Sequence, residues 1–300
     1  MTATDTHGWF NHALTSYFCF NNTRTLSTSR PSQLTLLRKP GMTAYIDPTR
    51  RYDNHVVIHQ KCAESDIEEV LGLYPDHLSP EISIEPAATD FSLSQCLMKH
   101  RFVPAYSHEF LAMRAESYQA SPIKQEIRVE RWECEKVDDF LALLQTAGVE
   151  CSETVWEEKR RYYCTEQFRC FVAFYDDQPC AWATSYLVDN GMSRCSPVSD
   201  KLDDTVIIAR ETGAEAKSDT VLNIRKESDR RVAIFANAYT QEAYRGKGCQ
   251  TALLHARIQD AKAAKVTHFL TDVMPDTISS RNCKAAGFTT KTIRTVWARS

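Results

Sequence analysis

Gly246 and Gly248, flanked by Arg245 and Lys247, lie between an apolar run ending at Thr240 and a helical pattern starting at Cys249. These types at this spacing suit an anion. A helix start leaves four backbone N–H groups unpaired and carries partial positive charge. Glycines let an anion approach the backbone closely, and Arg245 and Lys247 add cationic charge. Together they fit a pyrophosphate, although the turn alone fits a solvated surface turn equally well. It is not a P-loop, since Gly-x-x-x-x-Gly-Lys-Ser/Thr is absent, and Gly-x-Gly-x-x-Gly fails too.

The elements around this turn must hold it. The pattern predicts a strand over 232–240 and a helix over 249–264, with Leu254, Ile258 and Ala261 on its buried face and His255 toward solvent. A strand at 266–273, a helix at 277–286 and a strand to 297 complete a strand-helix-strand-helix-strand order, an α/β arrangement on a mixed sheet. Upstream come a strand at 126–132 and a helix with Val137, Phe140, Leu141 and Leu144 at i, i+3, i+4 and i+7. Gly148 supplies its left-handed stop. A helix at 152–163 precedes a hairpin of 168–174 and 181–188. Residues 190–231 form a charged insertion with strand candidates at 206–209 and 221–224; a loop that long is functional or mobile.

The first half is less regular. Residues 1–39 read as one short helix and a loop. A strand at 56–58 leads to a helix opening at Ser65-Asp66 and carrying Ile67, Val70, Leu71 and Tyr74. A strand follows at 81–85. Thr89 or Asp90 then caps a helix with Phe91, Leu93, Leu97 and Met98, and 102–114 reads as a returning strand pair. Residues 116–125 are polar, hold Pro122 and lack periodicity, which marks a domain boundary.

Bulk properties narrow the function. Three hundred residues suit two domains of about 150 each. The net charge of -3 gives no broad field for nucleic acid or an acidic membrane. No apolar run is long enough to span a bilayer, and 1–20 does not read as a secretory signal. Eleven scattered cysteines without Cys-x-x-Cys point to free thiols in a reducing cytoplasm, where the Asn21-Asn22-Thr23 sequon carries no glycan. The nine histidines show no zinc spacing, so no metal is expected.

The block Tyr244-Arg245-Gly246-Lys247-Gly248-Cys249-Gln250-Thr251 between strand and helix resembles the coenzyme A motif of the GNAT superfamily of N-acetyltransferases. The block Ser279-Ser280-Arg281-Asn282-Cys283-Lys284-Ala285-Ala286-Gly287-Phe288 resembles the superfamily's next motif, a helix ending in Gly-Phe. Gln250 stands where most members carry Gly or Ala. With Gln250 and Ser279-x-Arg281-Asn282, both blocks are similar to a bacterial subgroup whose amino-terminal half-domain is degenerate. Glu242 stands where Pro is common. The resemblance implies a tandem fold: an amino-terminal segment (1–39), a degenerate half without a cofactor site (40–115), a linker (116–125) and an acetyl-coenzyme A domain (126–300). The first half has Lys99-His100-Arg101-Phe102 where an active half would have Gly-Phe.

The resemblance further implies that backbone groups of Ala238, Tyr239 and Thr240 pair with pantetheine. Amides of Arg245, Gly246, Lys247, Gly248, Cys249, Gln250 and Thr251 would hold the pyrophosphate, with Ser279 and Asn282 also at the cofactor. The reaction implied is acetyl transfer from acetyl-coenzyme A to a primary amine of a small molecule or protein by direct attack. An alkyl ammonium, with a pKa of about 10.4, must first lose a proton. Asp272 is a candidate base, with capping or an ion pair as its plainer role. Cys283 stands where the superfamily often has a tyrosine acid; it is either a proton donor or a small buried residue. Trp156, Tyr162, Tyr163, Trp182 and Tyr186 fall near the substrate entrance that the resemblance implies, and core packing accounts for most of them. Two other functions remain open: a non-catalytic coenzyme A binding module, and a partner-docking protein working through 190–231.

Overall fold

The computed structural model describes residues 8–188 and 231–300, except 52, 76 and 121. Residues 190–230 of the expected insertion, with both its strand candidates, lie outside the described residues. The carboxy-terminal half begins with strands β6 (Ile127–Trp132), β7 (Phe168–Tyr175), β8 (Gln178–Val188) and β9 (Val232–Thr240) in an antiparallel meander. β7 reads Phe-Arg-Cys-Phe-Val-Ala-Phe-Tyr and is buried on both faces over its first six residues, as an interior strand requires. Between β6 and β7 lie helices α4 (Val137–Gln145), which buries Val137, Phe140, Leu143 and Leu144, and α5 (Glu153–Lys159), capped by Ser152. Gly148 has φ +80° just past α4. Helix α6 (Cys249–Ala263) then crosses to β10 (His268–Val273), parallel to β9. Helix α7 (Ile278–Ala285) leads to β11 (Thr289–Arg299).

The amino-terminal half repeats this order. Strand β3 (His55–Ile58) pairs in parallel with β4 (Glu81–Ile84) across helix α2 (Glu64–Leu71), and helix α3 (Phe91–Lys99) leads to β5 (Phe102–Arg114). Asp90 caps α3 by accepting from the Leu93 amide at 2.8 Å. The buried face of α3 is narrower than its sequence predicts, since Phe91 and Met98 are 75 % and 52 % exposed. After α3, Arg101 takes φ +64°; after α7, Gly287 takes φ +108°. Phe102 and Phe288, which follow, are both buried. The expected single short helix at the start is a 17-residue α1 (Gly8–Arg24), and the expected loop ends in β1 (Thr35–Lys39), which forms a hairpin with β2 (Met42–Ile46).

The two halves exchange their last strands. The sheet order is β1-β2-β3-β4-β11-β5-β10-β9-β8-β7-β6. β11 thus lies beside β4 of the other half, β5 lies beside β10, and β5 and β11 pair along their length. This corrects the strand pair expected over 102–114. It is one strand of 13 residues, because neighbours on both sides pair with it. A register shift between Val296 and Trp297 absorbs Pro104 opposite the latter. The segment after β5 packs on the second half: the Gln119 amide donates to Ala286 O at 3.1 Å, and the Tyr118 hydroxyl lies 2.5 Å from His255 Nδ1. His255 is therefore buried, not turned to solvent as α6's pattern suggests.

Helices α2 and α3 cover one face of the first half's sheet, packing on Met42, Ala44, Val56, Ile58, Ile82 and Ile84. α1 lies over the opposite face and touches both halves. Its Thr15 hydroxyl meets the Tyr45 hydroxyl at 2.7 Å, Arg24 donates to the Tyr163 hydroxyl at 2.8 Å, and Lys159 donates to Thr23 O at 2.8 Å. No helix among the described residues is long and apolar enough to cross a membrane.

Candidate functional site

Strands β9 and β10 stop pairing before β9 ends. Their last partners are Thr271 and Phe235, while β9 runs on to Thr240. The cause is local. Between Ala183 and Thr184 the β8–β9 register skips Asn237, which has φ +27°, and this bulge bends β9 away. Ala238, Tyr239 and Thr240 still pair with β8, at Ala183, Trp182 and Ala181. Their other edge faces the gap between the strands. Thr271 closes the ladder by donating its hydroxyl to Phe235 O at 2.9 Å. In the first half, by contrast, β3 and β4 stay paired along their whole length.

Beneath the bulge lies a residue that the sequence reading missed. Arg257 of α6 is buried, and its Nη1 donates to both Thr184 O and Ala236 O at 3.2 Å. Burial lowers the guanidinium to about 10, so it remains charged at neutral pH. Its signal was a cation on an apolar helical stripe, three residues after Leu254 and four before Ala261.

The gap opens toward the glycine turn. A short turn at Glu242–Tyr244 ends with the Arg245 amide donating to Glu242 O at 3.1 Å. Gly246 has φ +75°, and Gly248, the N-cap of α6, has φ +103°. With glycine at that place there is no side-chain cap. The first bond into the helix is Ala252 N to Gly248 O at 3.0 Å, so Cys249, Gln250 and Thr251 have no intrahelical acceptor for their amides. A methyl group added at Gly246 would meet nothing within 4 Å, which leaves that side of the turn open. Lys247 stacks its ammonium 4.1 Å from the Tyr175 ring centre, and Arg245 Nε reaches Thr240 O at 3.4 Å. Cys249 is buried at the helix start, its Sγ 3.6 Å from Cys180 Sγ.

The second sequence block joins the first. Gln250 donates to Ser279 Oγ at 2.6 Å and accepts from Asn282 Nδ2 at 3.0 Å. The residue that departs from the common motif therefore fastens the start of α6 to α7. α7 is in turn held by Glu109 of β5, which accepts from Ser280 Oγ at 2.6 Å, Thr290 Oγ1 at 2.5 Å and Lys284 Nζ at 2.8 Å. Burial works against the charge of Glu109, but the hydrogen bonds from Lys284, Ser280 and Thr290 outweigh it and bring the carboxyl down to about 2.

Cys283 lies apart from that bracket. Its side chain is buried in the cluster that holds Phe235, Leu254 and Phe288. Burial raises the thiol to about 11 against the opposing charge of Arg257. Asp272 follows the last β10 residue that pairs with β9, still pairs with Phe110 of β5, and holds a carboxylate oxygen 3.8 Å from His108 Nδ1. Trp156, Tyr163, Trp182 and Tyr186 are core residues packed with α4 and α1, and Tyr162 is only partly buried.

No family model and no curated protein matches the sequence. Solved structures do. A GCN5-related N-acetyltransferase from Kribbella flavida aligns with TM-score 0.56 and 11 % identity over 89 % of each chain. Another from Sphaerobacter thermophilus aligns with TM-score 0.55 and 12 % identity, over 86 % of this chain and 76 % of that one. A functionally unknown conserved protein from Staphylococcus epidermidis ATCC 12228 gives TM-score 0.57 and 10 % identity, over 89 % of this chain and 94 % of its own. The chain has the fold of the GCN5-related N-acetyltransferases, built here as two half-related units in one sheet.

Proposed function

We propose that this chain is an N-acetyltransferase that moves an acetyl group from acetyl-coenzyme A to a primary amine. One observation carries the reading: the gap between β9 and β10 opens onto a helix start whose amides have no intrahelical acceptors, beside two glycines at positive φ. An extended amide-bearing arm fits the free edge of Ala238, Tyr239 and Thr240. A pyrophosphate fits the amides from Arg245 to Thr251, with Gln250, Ser279 and Asn282 forming the neighbouring wall. Bound there, acetyl-coenzyme A supplies the activated thioester. The first half offers no matching slot: β3 and β4 stay paired, and α2 is preceded by Ala63 at its N-cap where α6 has a glycine.

This chain's own residues would take the amine proton and hold the geometry. Asp272 is the carboxylate near the end of β10 where the strands part and is the group placed to accept that proton, with His108 Nδ1 3.8 Å away. Cys283 is the candidate donor to the departing thiolate, but its burial among apolar side chains favours a packing role. The ten described cysteines are free thiols, which supports a reducing cytoplasm as the working compartment. The acceptor would be a small molecule or a protein amine, with neither nucleic acid nor membrane as partner.

Calorimetry with acetyl-coenzyme A, followed by thioester consumption over a panel of amines, tests the proposal. Binding with turnover is expected. Binding without turnover on any amine would favour a non-catalytic coenzyme A module, the reading suggested by Cys283 in place of a tyrosine. No binding at all would refute both.

A further inference from the structure

A cavity of about 460 Å³ lies between α1 and the sheet face that α2 and α3 leave uncovered. That is the size of a small-molecule site. One end reaches Asp272, the residue after the last β9–β10 pair, so the cavity meets the strands where they begin to part. We infer that this cavity is where the acceptor binds, and that it selects an amine with a flat apolar body and a carboxylate at its far end. The inference rests on the acetyl-transfer reading for its chemistry and on the cavity alone for its binding specificity.

The walls argue for the flat body. Phe18 and Tyr45 lie with ring centres 4.4 Å apart and planes tilted by 46°, His55 lies 5.9 Å from Phe18, and Phe110 closes the side toward β10, so the walls are aromatic. Burial, with the charges of Arg294 and His108 adding to it, lowers His55 to about 3 and leaves it a neutral wall.

The charges argue for the two ends. Arg294 lines the cavity but is already neutralised: its Nε donates to Glu85 Oε1 at 2.6 Å, and its guanidinium lies 4.5 Å from the Phe110 ring centre. Arg38, on β1, has no carboxylate partner among the described residues. On the β1–β2 ladder it stands opposite Thr43, two residues before Tyr45, and all three line the cavity. Asp272 is the cavity's one carboxylate, and at 3.8 Å its contact with His108 is too long for a hydrogen bond. The cavity is thus negative where it meets the gap and positive at the β1 side. An ammonium suits the first end and a carboxylate the second.

Arg38 and Asp272 stand on strands six steps apart, so the test uses the full chain with acetyl-coenzyme A and para-(aminomethyl)aryl carboxylates of one, two and three rings, with the uncharged carboxamide of each. The expected kcat/KM is about tenfold higher for a carboxylate than for its amide. Arg38→Ala should remove that preference while leaving the amides unchanged. Arg38 is exposed on an edge strand, so the variant should fold. Equal kcat/KM for acids and amides at all three lengths, or a preference that survives Arg38→Ala, would overturn the inference. If none of the six is acetylated, calorimetry without acetyl-coenzyme A decides. Carboxylate binding that weakens about tenfold in Arg38→Ala upholds the cavity while the transfer reading fails. No binding by any probe overturns the cavity assignment.

Discussion

Replacing Glu109 by Gln should destabilise the protein in a way that depends on pH. The carboxylate is 2 % exposed and accepts from Ser280, Lys284 and Thr290, so it ties β5 of the first half to α7 and β11 of the second. Its drop from the ordinary 4.5 to about 2 corresponds to about 3 kcal/mol at neutral pH, at about 1.4 kcal/mol per tenfold. Gln fills the same space and still accepts one hydrogen bond, but it leaves Lys284 facing a neutral amide. A carboxyl lowered by folding binds fewer protons in the folded state. The stability it supplies is complete above 4.5 and is lost as the pH falls toward about 2. Urea unfolding followed by tryptophan fluorescence should show a difference of about 3 kcal/mol at neutral pH that narrows steadily below 4.5. A difference under about 1 kcal/mol at neutral pH, or one that does not narrow with acid, would refute the reasoning.

Gly287→Ala should cost at least about 3 kcal/mol in a melting experiment. Its new methyl carbon would lie 2.6 Å from Ser117 O, at a φ of +108°. Gly248→Val should weaken acetyl-coenzyme A binding by more than about tenfold through its φ of +103° and the blocked approach to the helix amides, whereas Arg245→Ala should cost only about threefold. Equal affinity in wild type and Gly248→Val, by calorimetry, would remove the cofactor from this turn. Cys283→Ala should lower stability by about 1 kcal/mol and leave kcat unchanged, because the thiol packs in an apolar cluster. A kcat loss of about a hundredfold would instead make it the proton donor.

What the sequence alone determined is the local part. Gly246, Gly248 and Gly287 mark three left-handed positions because only glycine takes them without strain, so the turn before α6 and the end of α7 were legible from residue type. β9 was legible as a continuous apolar run, and α6 from the spacing of Leu254, Ile258 and Ala261. Partner choice was not legible, because it depends on residues far apart in the chain. Nothing near 102–114 says that β11 will lie on one side of it and β10 on the other, so one long strand read as two. His255 looked outward because its neighbour Tyr118 arrives from across the expected boundary. Arg257 became a support only once the bulge at Asn237 placed two carbonyls above it. The cavity under α1 likewise exists only because both halves close on one helix, bringing Arg38 and Asp272 to a common space from opposite ends of the chain. Backbone conformation is set by each residue and its neighbours, whereas burial and charge environment are set by whatever the fold brings alongside.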